Sequence, residues 1–166
     1  MEHTYFREIY NCFLGKITDD MYVEWTKQDT LKDCQSILIN ALPKFEFPRF
    51  RLFNYIREDA TDIGEDNSYF EDSLSLEEIN ILATLMMIEW LGRQINSIEN
   101  TRQKYYSSDF KMSSQAAHLG KLLDAQEENN RVNIHLQRMY KRRKISEDGS
   151  VSSNWSTLFN ESALDS

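Results

Sequence analysis

Glycine, proline and cysteine are all scarce in this chain of 166 residues, which holds 5 glycines, 2 prolines and 2 cysteines. With so few glycines there is no GxGxxG, GxxxxGK[ST] or GxSxG motif, so the common dinucleotide, nucleotide and serine-hydrolase signatures are excluded. Cys12 and Cys34 each lie in an apolar helical pattern. That setting favours buried, reduced thiols over a disulfide and is consistent with a reducing cytoplasm.

Long apolar runs and metal-ligand spacings are also lacking. The most apolar segment, Ile79–Leu91, is shorter than the roughly 20 residues of a membrane span and contains Glu89, so no span is expected. The first residues, MEHTYFREIY, are acidic and polar, so no secretory signal is expected. His3, His118 and His135 show no metal-ligand spacing with one another or with the cysteines, and we expect neither a metal nor a cofactor.

What the chain does contain is an uneven distribution of charge. Residues 1–90 carry 8 basic and 18 acidic side chains, residues 93–144 carry 11 basic and 5 acidic ones, and residues 145–166 carry 4 acidic side chains and no Lys or Arg. A molecule with regions of opposite charge can be oriented against a copy of itself or against charged partners.

Two long helices dominate the predicted fold, which is a mainly α-helical bundle. The first, at about residues 75–99, begins with a capping box at Ser75 and Glu78 and is apolar on nearly every face until Leu91, so it is predicted to be the central helix. The second, at about residues 113–143, has a polar middle at residues 126–131. We therefore predict that it projects beyond the core or faces another subunit.

Shorter helices are predicted before this pair. Apolar spacing indicates a helix over Glu2–Leu14, a second helix starts near Thr18, and a third runs from about Asp29 or Thr30 to Pro43. From Phe45 the apolar residues alternate with polar ones, which indicates an edge strand or a small hairpin within about residues 45–72.

The segment at residues 57–72 is rich in acidic side chains and is predicted to be a solvated loop. Soluble surface is the favoured interpretation of such a loop, and a binding role is the alternative.

The predicted domain organisation is one helical domain at residues 1–144, followed by an extended acidic tail at residues 145–166. The polar tail is interrupted by Trp155, Leu158 and Phe159. We interpret these three as a docking peptide, because such a cluster is costly to leave in water. Two alternatives stay open with equal weight: docking on a partner or neighbouring copy, and folding back onto the same domain.

A basic cluster ends the second long helix and consists of Arg138, Lys141, Arg142, Arg143 and Lys144. Three roles are open with equal weight: a structural role at the negative end of the helix dipole, pairing with an acidic protein surface, and contact with nucleic acid. The carboxylate pairs elsewhere lie at predicted helix starts or exposed positions. The chain is therefore expected not to be an enzyme.

Several strings of residues carry a resemblance to proteins encoded in the structural-gene clusters of tailed bacteriophages. They are Thr18–Tyr22, Leu74–Met86, Glu89–Leu91, Glu99–Tyr105, Ser108–Lys111 and His135–Lys144. The chain resembles the head-to-tail connector, or neck adaptor, group over about two-thirds of its length. It matches least in the acidic loop and after Ile145.

The resemblance implies a structural virion protein, assembled in the host bacterial cytoplasm, that forms a ring of about twelve copies at the neck. Its implied partners are a portal protein and a tail or stopper protein, with contact to packaged DNA as a further expectation. It supplies no catalytic residues. The alternative is a nucleic-acid-binding or regulatory helical module that uses the basic helix end at residues 138–144.

Overall fold

The computed structural model describes residues 3–17, 22, 24–104, 112–145 and 151–153, with side chains described for residues 3–17, 22, 24–100 and 116–143. The elements in chain order are β1 (Thr4–Tyr5), α1 (Phe6–Leu14), α2 (Lys27–Ala41), a 3-10 turn (Leu42–Lys44), β2 (Tyr55–Ile56), β3 (Tyr69–Phe70), α3 (Leu76–Lys104), α4 (Met112–Arg142), β4 (Arg143–Ile145) and β5 (Val151–Ser153). The prediction of a mainly helical bundle is confirmed.

Helix α3 is the centre of the bundle, as its sequence predicted. The capping box is present: the Ser75 N–H donates to Glu78 Oε2 at 2.7 Å, and the Glu78 N–H donates to Ser75 Oγ at 3.3 Å. Because α3 is apolar on several faces, α1, α2 and α4 all pack against it. The fully buried side chains that form this core include Phe6, Ile9, Phe13, Leu31, Ile37, Leu38, Ile81 and Leu82.

The shorter helices begin and end close to the predicted positions. Helix α1 begins later than predicted, at Phe6, because Thr4 and Tyr5 form β1, and it ends at Leu14 as expected. Helix α2 begins earlier than predicted, because Thr26 is its N-cap and accepts a hydrogen bond from the Asp29 N–H at 3.1 Å. The predicted helix near Thr18 falls mostly outside the described residues.

Two strands of the small sheet, β2 and β3, lie within the predicted region, whereas the third, β1, lies near the start of the chain where a helix was expected. Strand β3 is central and pairs antiparallel with both β1 and β2. Residues 45–54 form bends and a turn instead of the expected edge strand. The alternation there has another cause: Phe45 and Phe50 reach the core, whereas Phe47 and Phe53 stay exposed.

The acidic loop at residues 57–72 is not solvated throughout, and that prediction is wrong at its centre. Asp66 and Ser68 are fully buried. Asp66 Oδ1 accepts from the Ser68 N–H at 2.9 Å, and Asp66 Oδ2 accepts from Gln35 Nε2 at 3.3 Å. Since these bonds satisfy the buried carboxylate, Asp66 fixes the loop against α2.

Helix α4 packs against α3. The polar middle of α4, which was predicted to project from the core, is exposed on only one face. Glu127, Glu128 and Arg131 are exposed as expected. On the opposite face, Gln126 contacts α3, where its Nε2 lies 3.5 Å from the Ile88 carbonyl oxygen. The polar middle therefore has one solvent face and one face on the core.

Beyond α4 the chain forms a second, two-stranded sheet. Strands β4 and β5 pair antiparallel, with Arg143 opposite Ser153, so the first part of the predicted tail contains a hairpin. Cys12 and Cys34 are both free thiols, as predicted. Cys34 is fully buried, whereas Cys12 is only partly buried, contrary to the prediction. Among the helical residues that the structure describes, no helix has the length and apolar character needed to cross a membrane.

Candidate interaction surface

The C-terminal end of α4 is fixed to the rest of the molecule by Tyr140, which is 1% exposed. Its hydroxyl donates to Glu78 Oε1 at 2.5 Å and accepts from the Arg49 N–H at 2.8 Å. Burial, and then the bond to Glu78, raise the pKa of the Tyr140 phenol well above its usual value, so it stays a donor at neutral pH. One tyrosine thereby joins α4, the start of α3 and the loop that carries Arg49.

Arg49 completes the same junction from the side of the loop. Its Nη2 donates to the carbonyl oxygens of Tyr140, at 2.8 Å, and Arg143, at 2.5 Å. The guanidinium also lies 4.2 Å from the centroid of the Tyr140 ring. Because the last carbonyls of a helix have no partner within the helix, a cation at this place both caps α4 and complements its dipole.

One member of the predicted basic cluster makes an ion pair within the fold. Arg143 Nη1 lies 2.8 Å from Glu77 Oε2, with both side chains partly exposed. The pair joins the acidic start of α3 to the basic end of α4. For Arg143 the structural role is therefore real, although a partly exposed pair contributes only about 0.5 kcal/mol.

The remaining cluster residues differ in how they are presented. Arg138, Lys141 and Arg142 are exposed on the last turns of α4. Lys141 Nζ lies 3.9 Å from the centroid of the Phe47 ring. Lys144 is described only as a backbone position in β4, and Trp155, Leu158 and Phe159 lie outside the described residues.

Next to this helix end, residues 45–54 form a loop that we call the aromatic loop. Phe45 and Phe50 are 3% and 7% exposed and anchor it in the core. Phe47 and Phe53 are 61% and 69% exposed. The loop thus presents two large apolar side chains to solvent. Its backbone is fixed by the buried Phe45 and Phe50 and by the hydrogen bond from Arg49 to Tyr140.

Phe53 lies on a defined turn of the aromatic loop. The Asn54 N–H donates to the Arg51 carbonyl oxygen at 3.0 Å and closes the turn. The Arg51 N–H donates to Asp72 Oδ2 at 2.9 Å and ties the turn to the segment before α3. The backbone of the turn is therefore fixed, while the Phe53 side chain stays uncovered.

A groove of about 490 Å³, which we call the Phe47 groove, is lined by residues of the aromatic loop, α3 and α4. Its floor includes Leu85 and Ile88 of α3, and Ile134 of α4 lines it although 48% exposed. Gln137 spans it at one end: its Oε1 accepts from the Glu46 N–H, and its Nε2 donates to the Lys44 carbonyl oxygen at 3.3 Å.

Sequence reasoning identified the basic helix end but missed the loop that contacts it. In the sequence, Phe47 and Arg49 fit only an alternating strand pattern. A usable signal was present at Pro48, which interrupts that pattern and separates an exposed phenylalanine from an arginine. Their partner Tyr140 follows 91 residues after Arg49, a separation that no local pattern connects.

Two buried side chains, Tyr10 and Cys34, are held in their neutral forms. Tyr10 is fully buried, and burial followed by the nearby Asp66 charge raises the pKa of its phenol far above the usual value. Burial raises the pKa of the Cys34 thiol to about 12, so it is not a thiolate at neutral pH. Among the described residues, no group of three or more His, Cys, Asp or Glu side chains could hold a metal ion.

Comparison of the chain with protein-family models, with curated proteins and with solved structures finds no match. The resemblance to phage neck adaptors therefore stays a prediction from the strings of residues that carry it.

Proposed function

We propose that this chain is a non-enzymatic assembly protein that binds a protein partner through the turn of its aromatic loop and the adjoining basic end of α4. The observation that carries the proposal is Phe53, which is 69% exposed on a turn fixed by hydrogen bonds on both sides. A large aromatic side chain presented to water from a fixed backbone is suited to filling an apolar pocket on a partner. Little backbone entropy is then lost on binding.

Ile56, which follows Phe53 on β2, extends the apolar part of this surface because it is 41% exposed. Arg138, Lys141 and Arg142 add exposed positive charge on the other side of the aromatic loop. Apolar anchors beside a cationic rim favour a partner surface with an apolar pocket and acidic surroundings.

The resemblance to phage neck adaptors gives this surface a specific proposed use. In a ring of the chain at the neck of a tailed phage, the bundle of α1, α2 and α3 would form the body. The aromatic loop and the basic helix end would then contact the portal protein or the tail protein. The polar solvent face of α4 and the opposite charges of the two halves of the chain support an assembly role.

A binding experiment with single variants tests the proposal. The purified chain is mixed with the portal and tail proteins encoded in its own gene cluster, and masses are measured by native mass spectrometry and sedimentation. Phe53→Ser should weaken the complex by about 2 kcal/mol, or roughly thirtyfold in Kd. Leu123→Ser removes another exposed apolar side chain, 46% exposed on α4, and should leave binding unchanged.

Two results contradict the proposal. One is a purified chain that binds neither neighbour while its circular dichroism shows a folded helical bundle. The other is a complex that Phe53→Ser and Leu123→Ser weaken equally, since the aromatic loop would then have no special part.

Nucleic-acid binding is the second candidate, and the exposed Arg138, Lys141 and Arg142 support it. It ranks lower because Arg143 is paired with Glu77 and the chain carries a net charge of -8. The isolated protein should bind duplex DNA with a strong salt dependence if this candidate is correct. Arg138→Ala with Arg142→Ala should then reduce the salt slope by about two.

A further inference from the structure

The Phe47 groove is an apolar cleft with a positively charged rim. Apolar side chains of α3 form part of its floor, and Ile134 of α4 lines it although 48% exposed. Arg138 and Lys141 line it from the last turns of α4, and neither makes an ion pair with any carboxylate that the structure describes. An occupant that carries an apolar side chain next to negative charge would complement this groove.

One wall of the groove is held in an unusual backbone conformation. Phe47 has a φ of 56°, a value that a large side chain rarely adopts outside a functional or strained position. Its ring is 61% exposed, and the ring centroid lies 3.9 Å from Lys141 Nζ. A strained backbone that keeps an aromatic ring uncovered beside an apolar cleft indicates that the cleft receives an occupant.

A second exposed surface of the chain has the opposite charge. It consists of Glu24, Trp25 and Asp29, and we call it the Trp25 edge. Trp25 is 42% exposed, and the two carboxylates make no ion pair with any cation that the structure describes. All three residues line an open cleft of about 610 Å³, whose described lining includes three acidic residues and one basic residue, Lys32. The Trp25 edge is therefore an apolar anchor with negative surroundings.

The Trp25 side chain is supported on one side by contacts that connect it to two helices. Its ring meets the Tyr22 ring edge to face, with 5.5 Å between centroids. The Tyr22 hydroxyl donates to Asp33 Oδ2 at 2.6 Å, and Asp33 pairs with Arg93 of α3 at 2.7 Å. A tryptophan that is supported on one side and open on the other is suited to anchor a protein contact.

The two surfaces lie at opposite ends of α2. Trp25 directly precedes Thr26, the N-cap of α2, whereas Lys44 of the groove follows Ala41, the last residue of α2, by three positions. A helix of 15 residues is about 22 Å long, which is far longer than any side chain. Trp25 therefore cannot enter the groove of its own chain, but a second copy of the chain can bring its Trp25 there.

We infer that the Trp25 edge of one copy docks in the Phe47 groove of the next copy, so that copies of this chain join head to tail. The indole of Trp25 contacts Phe47 and Ile134, and the two carboxylates of the edge face the two cations of the rim. Each joined pair still has one unoccupied groove and one unoccupied Trp25 edge. Association between two different surfaces therefore continues until a ring closes.

This inference deepens the proposed function and rests on it in one respect, because it names the surfaces that join the copies of the proposed ring. Phe53 does not line the groove, so its turn is not covered by the docked copy. The two proposals can fail separately. A chain that stays monomeric alone can still bind the portal protein, and a chain that assembles alone can bind neither neighbour.

Sedimentation of the isolated full-length chain over a range of concentrations tests the inference. The average mass should rise with concentration past that of a dimer, and the rise should be smaller at high salt, because salt screens the charges of the rim. Trp25→Ser and Ile134→Ser should each weaken the association at least about tenfold. Val132→Ser is the matched control, because Val132 is a neighbouring residue of α4 with 42% exposure that does not line the groove.

Reversal of one charge on each surface separates loss of docking from loss of structure. Glu24→Lys and Arg138→Glu each bring like charges together across the contact, and each should weaken the association about threefold or more. The variant that carries both changes has opposite charges again and should recover most of the association. A fold defect would not recover in this way, and circular dichroism of each variant checks the helical bundle.

Three outcomes overturn the inference. The first is a folded chain that stays monomeric at every concentration up to its solubility limit, and the second is association that stops at two copies. The third is association that Ile134→Ser and Val132→Ser weaken equally, or that the doubly charge-reversed variant does not recover. Growth past the dimer that is lost in Trp25→Ser and Ile134→Ser and recovered by charge reversal supports it.

Discussion

Helices α3 and α4 are neighbours of nearly equal length, 29 and 31 residues, but they are attached to the molecule by different forces. Helix α3 is held by burial of apolar side chains such as Leu82 and Met86, both fully buried. Helix α4 buries few apolar residues, and several of its most buried positions are Asn133, Gln137 and Tyr140. The first kind of contact is strong and non-directional, whereas the second depends on exact partners.

The difference separates the two tasks of the pair. A helix buried on several sides fixes the fold but has little surface left for partners. A helix fixed by a few directed polar contacts keeps a solvent face and a charged end. In this molecule the stable part and the candidate binding part are therefore adjacent but distinct.

The largest expected effect comes from truncating a core side chain of α3. Leu82→Ala should lower the free energy of unfolding by about 3 kcal/mol, because it removes buried apolar area and leaves a cavity. Val132→Ala on α4 should change it by less than about 0.5 kcal/mol, since Val132 is half-exposed. Urea denaturation measures both, and equal losses would abolish the contrast between the helices.

Removing the Tyr140 hydroxyl tests whether polar contacts hold α4. Tyr140→Phe should cost about 2 kcal/mol, because Oε1 of Glu78, a residue 5% exposed, loses the Tyr140 donor and the Arg49 N–H loses its acceptor. Chemical denaturation gives the stability, and hydrogen exchange should show faster opening at the end of α4 than in the middle of α3. Tyr69→Phe on β3 serves as the control. A loss below about 0.5 kcal/mol would assign α4 to apolar packing instead.

Alkaline pH should lower the free energy of unfolding through Cys34, which lies on α2 in the apolar core. The unfolded thiol loses its proton near its ordinary pKa of 9.0, whereas burial raises the folded pKa to about 12. Between these values the unfolded state binds fewer protons, so stability should fall by about 1.4 kcal/mol per pH unit. Below pH 9 this thiol should contribute no pH dependence.

Denaturation curves measured from neutral pH upward show this slope, and Cys34→Ala should make it shallower between pH 9 and 10. Above pH 10 the buried tyrosines Tyr10 and Tyr140, whose pKa values are also raised, maintain a slope of the same sign. An equal slope in the variant near pH 9 would contradict the assignment.

The smallest effects are expected when one glycine in each helix is replaced by alanine. Gly120→Ala in α4 should stabilise the protein by about 1 kcal/mol, because alanine favours a helix and an added Cβ meets nothing within 4 Å. Gly92→Ala in α3 should gain less than half of that, since the Cβ would lie 3.1 Å from Gln126 Nε2 and displace it. Thermal unfolding measures the two changes in stability. A larger gain at Gly92 than at Gly120 would show that Gln126 adds nothing to the contact between α3 and α4.

The sequence predicted the parts of this fold that depend on local periodicity. The capping box at Ser75 and Glu78, the apolar character of α3 and the end of α1 at Leu14 could all be found from spacing. The basic end of α4 could be found in the same way. The prediction was wrong for residues 45–53, because alternation between core and solvent is not specific to a strand.

By itself, the sequence determined the two long helices, the central place of the first and the charged end of the second, because residues three or four apart decide helix faces. The tertiary structure alone decided which groups meet at that end. Arg49 and Tyr140 are 91 residues apart, and Tyr140 and Glu78 are 62 apart. Asp66 likewise became a buried anchor only through Gln35, 31 residues away. Such pairings depend on how the helices pack, and packing joins residues whose separation follows no local period.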